Sequence, residues 1–169
     1  DRHRLIETAA NIAGEPRDTV AASAGSIVTA PRKHETYRAL GAAMRVAGIA
    51  AATAEALDLS VGYANERVQF GKPIGRNQAI QHQLAVMATQ VAAAQAAADM
   101  IVAALPSVAL DEARFRTIAA AGKVRAGEAA GICAAIAHQV HGAIGFTREY
   151  RLNRLSRRLW SWRDEFGGE

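Results

Sequence analysis

Arg67, Gln69, Phe70 and Gly71 stand together in the stretch Arg67-Val-Gln-Phe-Gly-Lys-Pro-Ile-Gly75, between two long alanine-rich segments. A guanidinium, an amide and an aromatic face within four residues suit a pyrophosphate and a purine. Arginine can grip phosphate with two hydrogen bonds, and a ring can stack on a base. A second polar junction, Gln139-Val-His-Gly-Ala-Ile-Gly-Phe146, answers it later in the chain. The first set also has a plainer reading, in which Arg67 caps the C-terminus of its own helix and Phe70 plugs the end of a bundle. Physics alone favours that plainer reading.

The elements that must position these residues are helices. Pro31 punctuates the chain, and from about Arg32 to Glu66 the residues Leu40, Met44, Ala47, Ala51, Ala54 and Leu57 repeat at helical spacing. Gly71, Pro73 and Gly75 stop that pattern. A second helix starts after Asn77, a good N-cap, with Ile80, Leu84, Met87, Val91, Ala94 and Ala98 on its apolar stripe as far as Leu105. Pro106-Ser107 breaks it. Asp111-Glu112 puts acidic charge where a third helix begins, and Phe115, Ile118, Ala119, Val124, Ala129, Ile132 and Ile136 carry it to about Val140. Gly142 and Gly145 end it. A fourth helix sets Leu152, Leu155, Leu159 and Trp162 on one side, with Arg148, Arg151, Arg154 and Arg158 on the other. Four stripes and three short connections predict an all-α, antiparallel up-down four-helix bundle over residues 32–169.

Residues 1–31 read differently. Gly14-Glu-Pro-Arg-Asp18 is turn chemistry, and the β-branched, glycine-broken run from Val20 to Thr29 predicts one or two short strands in an irregular lead. This lead is expected to be poorly packed, the tail of a preceding domain or a linker. The first residue is not Met, so the chain reads as part of something longer.

Composition narrows the class. Half of the 169 residues are apolar but only 5% are aromatic, which suits closely packed helices rather than a β-sandwich. The lone Cys133 excludes an internal disulfide, fits a reducing cytoplasm, and is expected to be a small buried apolar residue. With no uninterrupted apolar run of about 18 residues, no membrane span is expected, and no secretory leader is visible. The net charge of +4 comes with arginines concentrated between 148 and 163, on a segment with a regular apolar face, so no nucleic-acid partner is expected. His82, His138 and His141 have no metal-ligand spacing and read as surface or interface residues.

Tyr63-Ala-Asn-Glu-Arg-Val-Gln-Phe-Gly-Lys-Pro-Ile74, followed by Gln78-Ala-Ile and Leu84-Ala, resembles the acyl-CoA dehydrogenase family. So do Gln139-x-x-Gly142, Gly145-Phe146 and Glu149-Tyr150, and the similarity runs over roughly residues 40–160. The resemblance implies that Arg67, Gln69 and Phe70 contact the pyrophosphate and adenosine of FAD. Ile74 and Gln78 would lie on the same side, and the turn with Gln139, Gly142 and Ala143 would add contacts. It further implies a flavin held mainly by a neighbouring subunit, an acyl-CoA substrate oxidised to its 2,3-enoyl product, and an electron-accepting flavoprotein partner. Ala143 departs from the family, which more often has glycine there, but its backbone N–H remains a donor.

The proton-abstracting carboxylate is the weak point of that resemblance. Carried over without gaps, the family's usual position falls on Phe166, and a one-residue shift brings in Glu165. The other family position falls at about Gly41 and Ala42, neither of which can take a proton. Glu165 is therefore the candidate base. The alternatives are a non-catalytic subunit that completes a partner's flavin site and, outside the family, a helical adaptor that binds through its arginines.

Overall fold

The computed structural model describes residues 3–22 and 31–167. Four helices dominate: α1 His34–Glu66, α2 Gln78–Ala104, α3 Glu112–His141 and α4 Arg151–Asp164. They form the antiparallel bundle expected from the four stripes. The side chain of Asn77 accepts a hydrogen bond from the Ala79 N–H (3.0 Å), and Asp111 accepts one from Arg114 N–H (2.9 Å), so both caps do what their positions require. At the start of α3, Glu112 takes Arg32 (2.9 Å) and the Thr36 hydroxyl (2.7 Å), pinning the first turns of α1 and α3 together.

Alanine sets the packing. Ala43, Ala50, Ala94, Ala97, Ala119, Ala126, Ala130, Ala134 and Ala137 are buried, with Val46, Ile49, Met87, Phe115, Leu152 and Leu159 supplying the bulk. Small side chains let helix axes approach closely, and the larger ones fill what is left. Cys133 is fully buried among them, and burial pushes its thiol up to about 11.

Two helices differ from the expected faces. On α1, Met44 is 76% exposed and Ala47 and Ala51 face outward, while Ala39, Ala42, Val46, Ile49, Thr53, Ala56 and Ser60 are buried. The buried face is the small-residue face, because contact with three neighbouring helices favours close approach over side-chain bulk. On α3, Val124 and Ile132 are exposed for the same reason. Three helical stretches, His34–Glu66, Gln78–Ala104 and Glu112–Phe146, are also long and apolar enough by composition to cross a membrane. The expectation from uninterrupted runs missed this because alanine carries much of the hydropathy.

The lead is more ordered than expected. Strand β1, His3–Glu7, pairs antiparallel with β2, Thr19–Ala22. The second half of the expected strand region, residues 23–30, lies outside the described residues. Between its two strands, the lead is fastened to α4. Asn11 folds the turn through its side-chain oxygen, which accepts from the N–H groups of Ala13 and Glu15. The Trp162 indole N–H donates to Glu15 (3.0 Å), and Arg157 donates to the Ile12 carbonyl.

Candidate functional site

Strands β3 (Val68–Gln69) and β4 (Lys72–Pro73) follow α1 as a two-residue-loop hairpin, with Gln69 opposite Lys72. Its tip is Phe70-Gly71, with φ of +51° and +80°. Paired positive φ values are what a tight hairpin needs, and glycine adopts them freely. Phe70 does so at a cost of about 1–2 kcal/mol. Its ring is 100% exposed, so it plugs nothing.

Arg67 is the C-cap of α1. Its N–H donates to the Tyr63 carbonyl (2.8 Å) and its carbonyl accepts from Ile74 N–H (2.9 Å). The guanidinium makes no hydrogen bond or ion pair among the described residues, which removes the side-chain capping reading.

At the same end of the bundle, α3 finishes at Gly142, where φ is +65° and ψ −145°. That is a region essentially reserved for glycine. A short 3₁₀ turn, Gly142–Phe146, then leads to α4. The two junctions meet across a cleft of about 410 Å³, and Arg67, Gln69, Ile74, Gln139, Gly142 and Ala143 all line it. Six of the eight expected cofactor residues are thus brought to one place. Phe70 stands out at the hairpin tip and Gln78 is exposed at the start of α2, and neither lines this cleft.

Tyr63 and His141 also line it, and neither was expected among the cofactor residues. His141 is 4% exposed and stacks on Tyr63 with ring centroids 4.5 Å apart. His138 is buried between Phe146 (4.0 Å) and Trp160 (5.6 Å) with both ring nitrogens unpartnered. Burial, reinforced by His141, pushes its pKa down. Of the expected surface or interface role, the surface half therefore fails for both residues. The signal was their i, i+3 spacing at a helix end, on the same stripe as Ala134 and Ala137. His82, by contrast, is exposed. Among the described residues, no group of three potential metal ligands comes together.

Glu165 sits elsewhere. Its carboxylate takes Arg17, Arg45 (2.6 Å), Asn11 (3.1 Å) and Ser161 (3.2 Å). Burial would raise its pKa, but the hydrogen bonds from Arg17 and Asn11 and the charge of Arg45 outweigh that and hold it below the usual carboxylate value. A carboxylate so committed is a weak base. From Arg45 to Glu66, α1 rises about 30 Å, so the Glu165 cluster and the cleft lie at well-separated levels of the bundle.

The two alternative base positions converge in space. Phe166 adopts φ +58°, which turns its ring onto Gly41, where any Cβ would overlap it. Two turns further along the same face, Gly48 receives the Trp162 ring, which would lie 2.9 Å from an added Cβ. Arg45 stands between them, 5.4 Å from the Trp162 ring and 5.9 Å from the Phe166 ring. Lys123 secures this end by donating to the carbonyls of Arg163 (2.6 Å) and Gly167 (2.7 Å). Phe166 and Gly41 offer no titratable group.

The architecture is a helical-bundle domain with a polar cleft at one end. The family model for the acyl-CoA dehydrogenase C-terminal domain matches residues 37–163. Acryloyl-CoA reductase (NADH) of Anaerotignum propionicum is 40% identical over 120 residues, which is 69% of this chain and 29% of the relative. Glutaryl-CoA dehydrogenase of Desulfococcus multivorans is 37% identical over 149 residues, 87% of this chain and 34% of the relative. The crystal structure of an acyl-CoA dehydrogenase complexed with FAD from Bacillus anthracis matches with a TM-score of 0.71 and 26% identity, covering 79% of this chain and 26% of that one. The chain belongs to the acyl-CoA dehydrogenase family and corresponds to its C-terminal helical domain. It spans about a third of the length of the curated relatives it matches. Membership removes the reading as an unrelated helical adaptor.

Proposed function

We propose that this chain is the C-terminal domain of an FAD-dependent acyl-CoA dehydrogenase that oxidises an acyl-CoA thioester to its 2,3-enoyl product. The cleft carries the proposal: a guanidinium with no partner among the described residues, two side-chain amides and the backbone of a glycine turn converge on one polar space. These groups fit a dinucleotide. Arg67 would hold the pyrophosphate, Gln69 and Gln139 would accept and donate around it, and the exposed Phe70 ring is free to stack on the purine. Bound flavin supplies the acceptor for the hydride that leaves the β-carbon. On this reading the remaining residues of the assembled enzyme hold the thioester and the rest of the cofactor, and residues 1–31 are the tail of a preceding domain. A cytoplasmic enzyme handing electrons to a separate flavoprotein completes the proposal.

Self-association belongs to the same reading. Leu40, Met44, Ala47, Val102 and Leu105 line an apolar groove of about 400 Å³ on the outside of α1 and α2. A groove of that character favours burial against another subunit.

One observation favours a second reading, a non-catalytic subunit that completes the flavin site of a partner chain. The two positions where the resemblance places a base, Gly41 and Phe166, touch each other and hold no carboxylate, while Glu165 is engaged by two arginines. One experiment separates the readings. The full-length protein is purified with and without its partner subunit, and FAD content and acyl-CoA-dependent reduction of an artificial acceptor are measured. Flavin and turnover without a partner support the first reading, and flavin with turnover only alongside a partner supports the second. Absence of flavin in both preparations overturns the cofactor assignment.

A further inference from the structure

Directly behind the cleft, His141 occupies a seat built for two protons. Its Nδ1 lies 2.8 Å from the Ala137 carbonyl, which can only accept, so the neutral ring carries its proton on Nδ1. Nε2 is then a lone pair, buried and without a partner. The Leu59 backbone on α1 favours a second proton on the ring. Tyr63 stacks on one side (4.5 Å) and Tyr150 tilts against the ring at 5.3 Å, and aromatic faces of this kind favour a cation.

We propose that His141 is a positioning residue of the cofactor turn that takes up a proton when an anionic diphosphate occupies the cleft. The proton lets the ring bridge the end of α3, through Ala137, to α1, through Leu59, and so hold the two walls of the cleft together. This inference rests on the cofactor reading given above.

The groups around the ring set the direction. From α1 come Tyr63 and, at the helix end, Glu66 and Arg67; from α3 comes His138; from the segment before α4 comes Tyr150. With the cleft free of anion, burial lowers the His141 pKa more than the Ala137 and Leu59 carbonyls raise it, so the ring is neutral near pH 7. An anion beside it favours the imidazolium. By reciprocity the proton then tightens anion binding by the same factor. Retention should rise by up to about tenfold per pH unit between the pKa of the anion-free and anion-bound protein.

The test measures FAD dissociation from the full-length protein at pH 7.5, 6.5 and 5.5. Wild type should hold FAD several-fold more tightly at pH 5.5 than at 7.5, with fractional proton uptake visible by titration calorimetry in two buffers of different ionisation enthalpy. His141→Phe keeps the stack and loses the proton, so its dissociation constant should be flat with pH; His141→Gln serves if the phenylalanine variant does not fold. His138→Phe should keep the slope. A flat wild type, or the same slope in the His141 variants, overturns the inference. If Arg67→Ala also binds FAD normally, the cofactor reading falls with it; if Arg67→Ala loses FAD, only the role of His141 is lost.

Discussion

The cleft and the α4 terminus are built from the same residue types and differ in what those residues are left to do. At the α4 terminus, Arg45, Glu15, Glu165 and Lys123 all find partners within the chain, and Trp162 and Phe166 fill the spaces over Gly48 and Gly41. At the cleft, the Arg67 guanidinium has no partner among the described residues and the Phe70 ring is fully exposed. Two positions there, Phe70 and Gly142, also hold unusual backbone conformations. A region whose charged groups pair with one another is structural, and one that leaves a charged group unpaired at a cost in strain is built to meet something else.

The sharpest break of that contrast uses two arginines. Arg67→Ala should reduce FAD retention by about 1.5–3 kcal/mol, the worth of a hydrogen bond to a charged group, and leave thermal stability nearly unchanged. Arg151 is 63% exposed and pairs with Glu55 at 3.0 Å, so Arg151→Ala should leave flavin content as it is. Equal flavin loss in both variants would dissolve the distinction between the two regions.

Gly142→Ala acts on the backbone of the same cleft. A Cβ there meets no neighbouring atom, so the whole effect is conformational, about 1–2 kcal/mol of stability for a φ of +65°. Ala143→Gly next door should be within about 0.5 kcal/mol of wild type. Chemical denaturation of the pair separates strain from packing, and an equally mild effect at both positions would show that the turn relaxes.

That the two junctions share a cleft was legible because both carry their polar residues at helix ends, where side chains cannot be absorbed into a stripe. The helices were legible from caps and breakers: Asn77, Asp111, Pro106 and Gly142 each stand where an element starts or stops. Two things were not. The buried face of α1 is chosen by small residues, so counting large ones put Met44 inside. The partners of Glu165 come from residue 11, residue 17 and residue 45, and no local pattern announces a cluster assembled from three distant segments.

Glu165→Gln tests the other region. If the carboxylate is structural, the substitution removes the charge attracted to Arg17 and Arg45 and costs about 1 kcal/mol, with flavin content and turnover of the assembled enzyme retained. Near-complete loss of turnover with flavin still bound would instead make Glu165 the base and turn the satisfied cluster into a working one.

The smallest effect is in the acid response of the two regions. In the folded protein Glu165 and Glu15 both have pKa values below their ordinary 4.5. For each, burial pulls upward and is outweighed by hydrogen bonds, from Arg17 and Asn11 to Glu165 and from Asn11 and Trp162 to Glu15, and by the Arg45 charge. A depressed carboxylate contributes stability that is complete above the unfolded value and is lost as pH falls through the folded one. The lead should therefore detach from α4 as pH falls below the ordinary carboxylate value, before the alanine core unfolds. Trp162 reports it directly, since its indole N–H donates to Glu15. Its fluorescence should change with acid in wild type, and the midpoint should move upward in Arg45→Lys, where a single ammonium replaces the guanidinium that faces both carboxylates. An acid transition in which Trp162 and the far-ultraviolet helix signal move together would show that the lead and the bundle form one cooperative unit, and that the α4 terminus is as integral to the fold as the core.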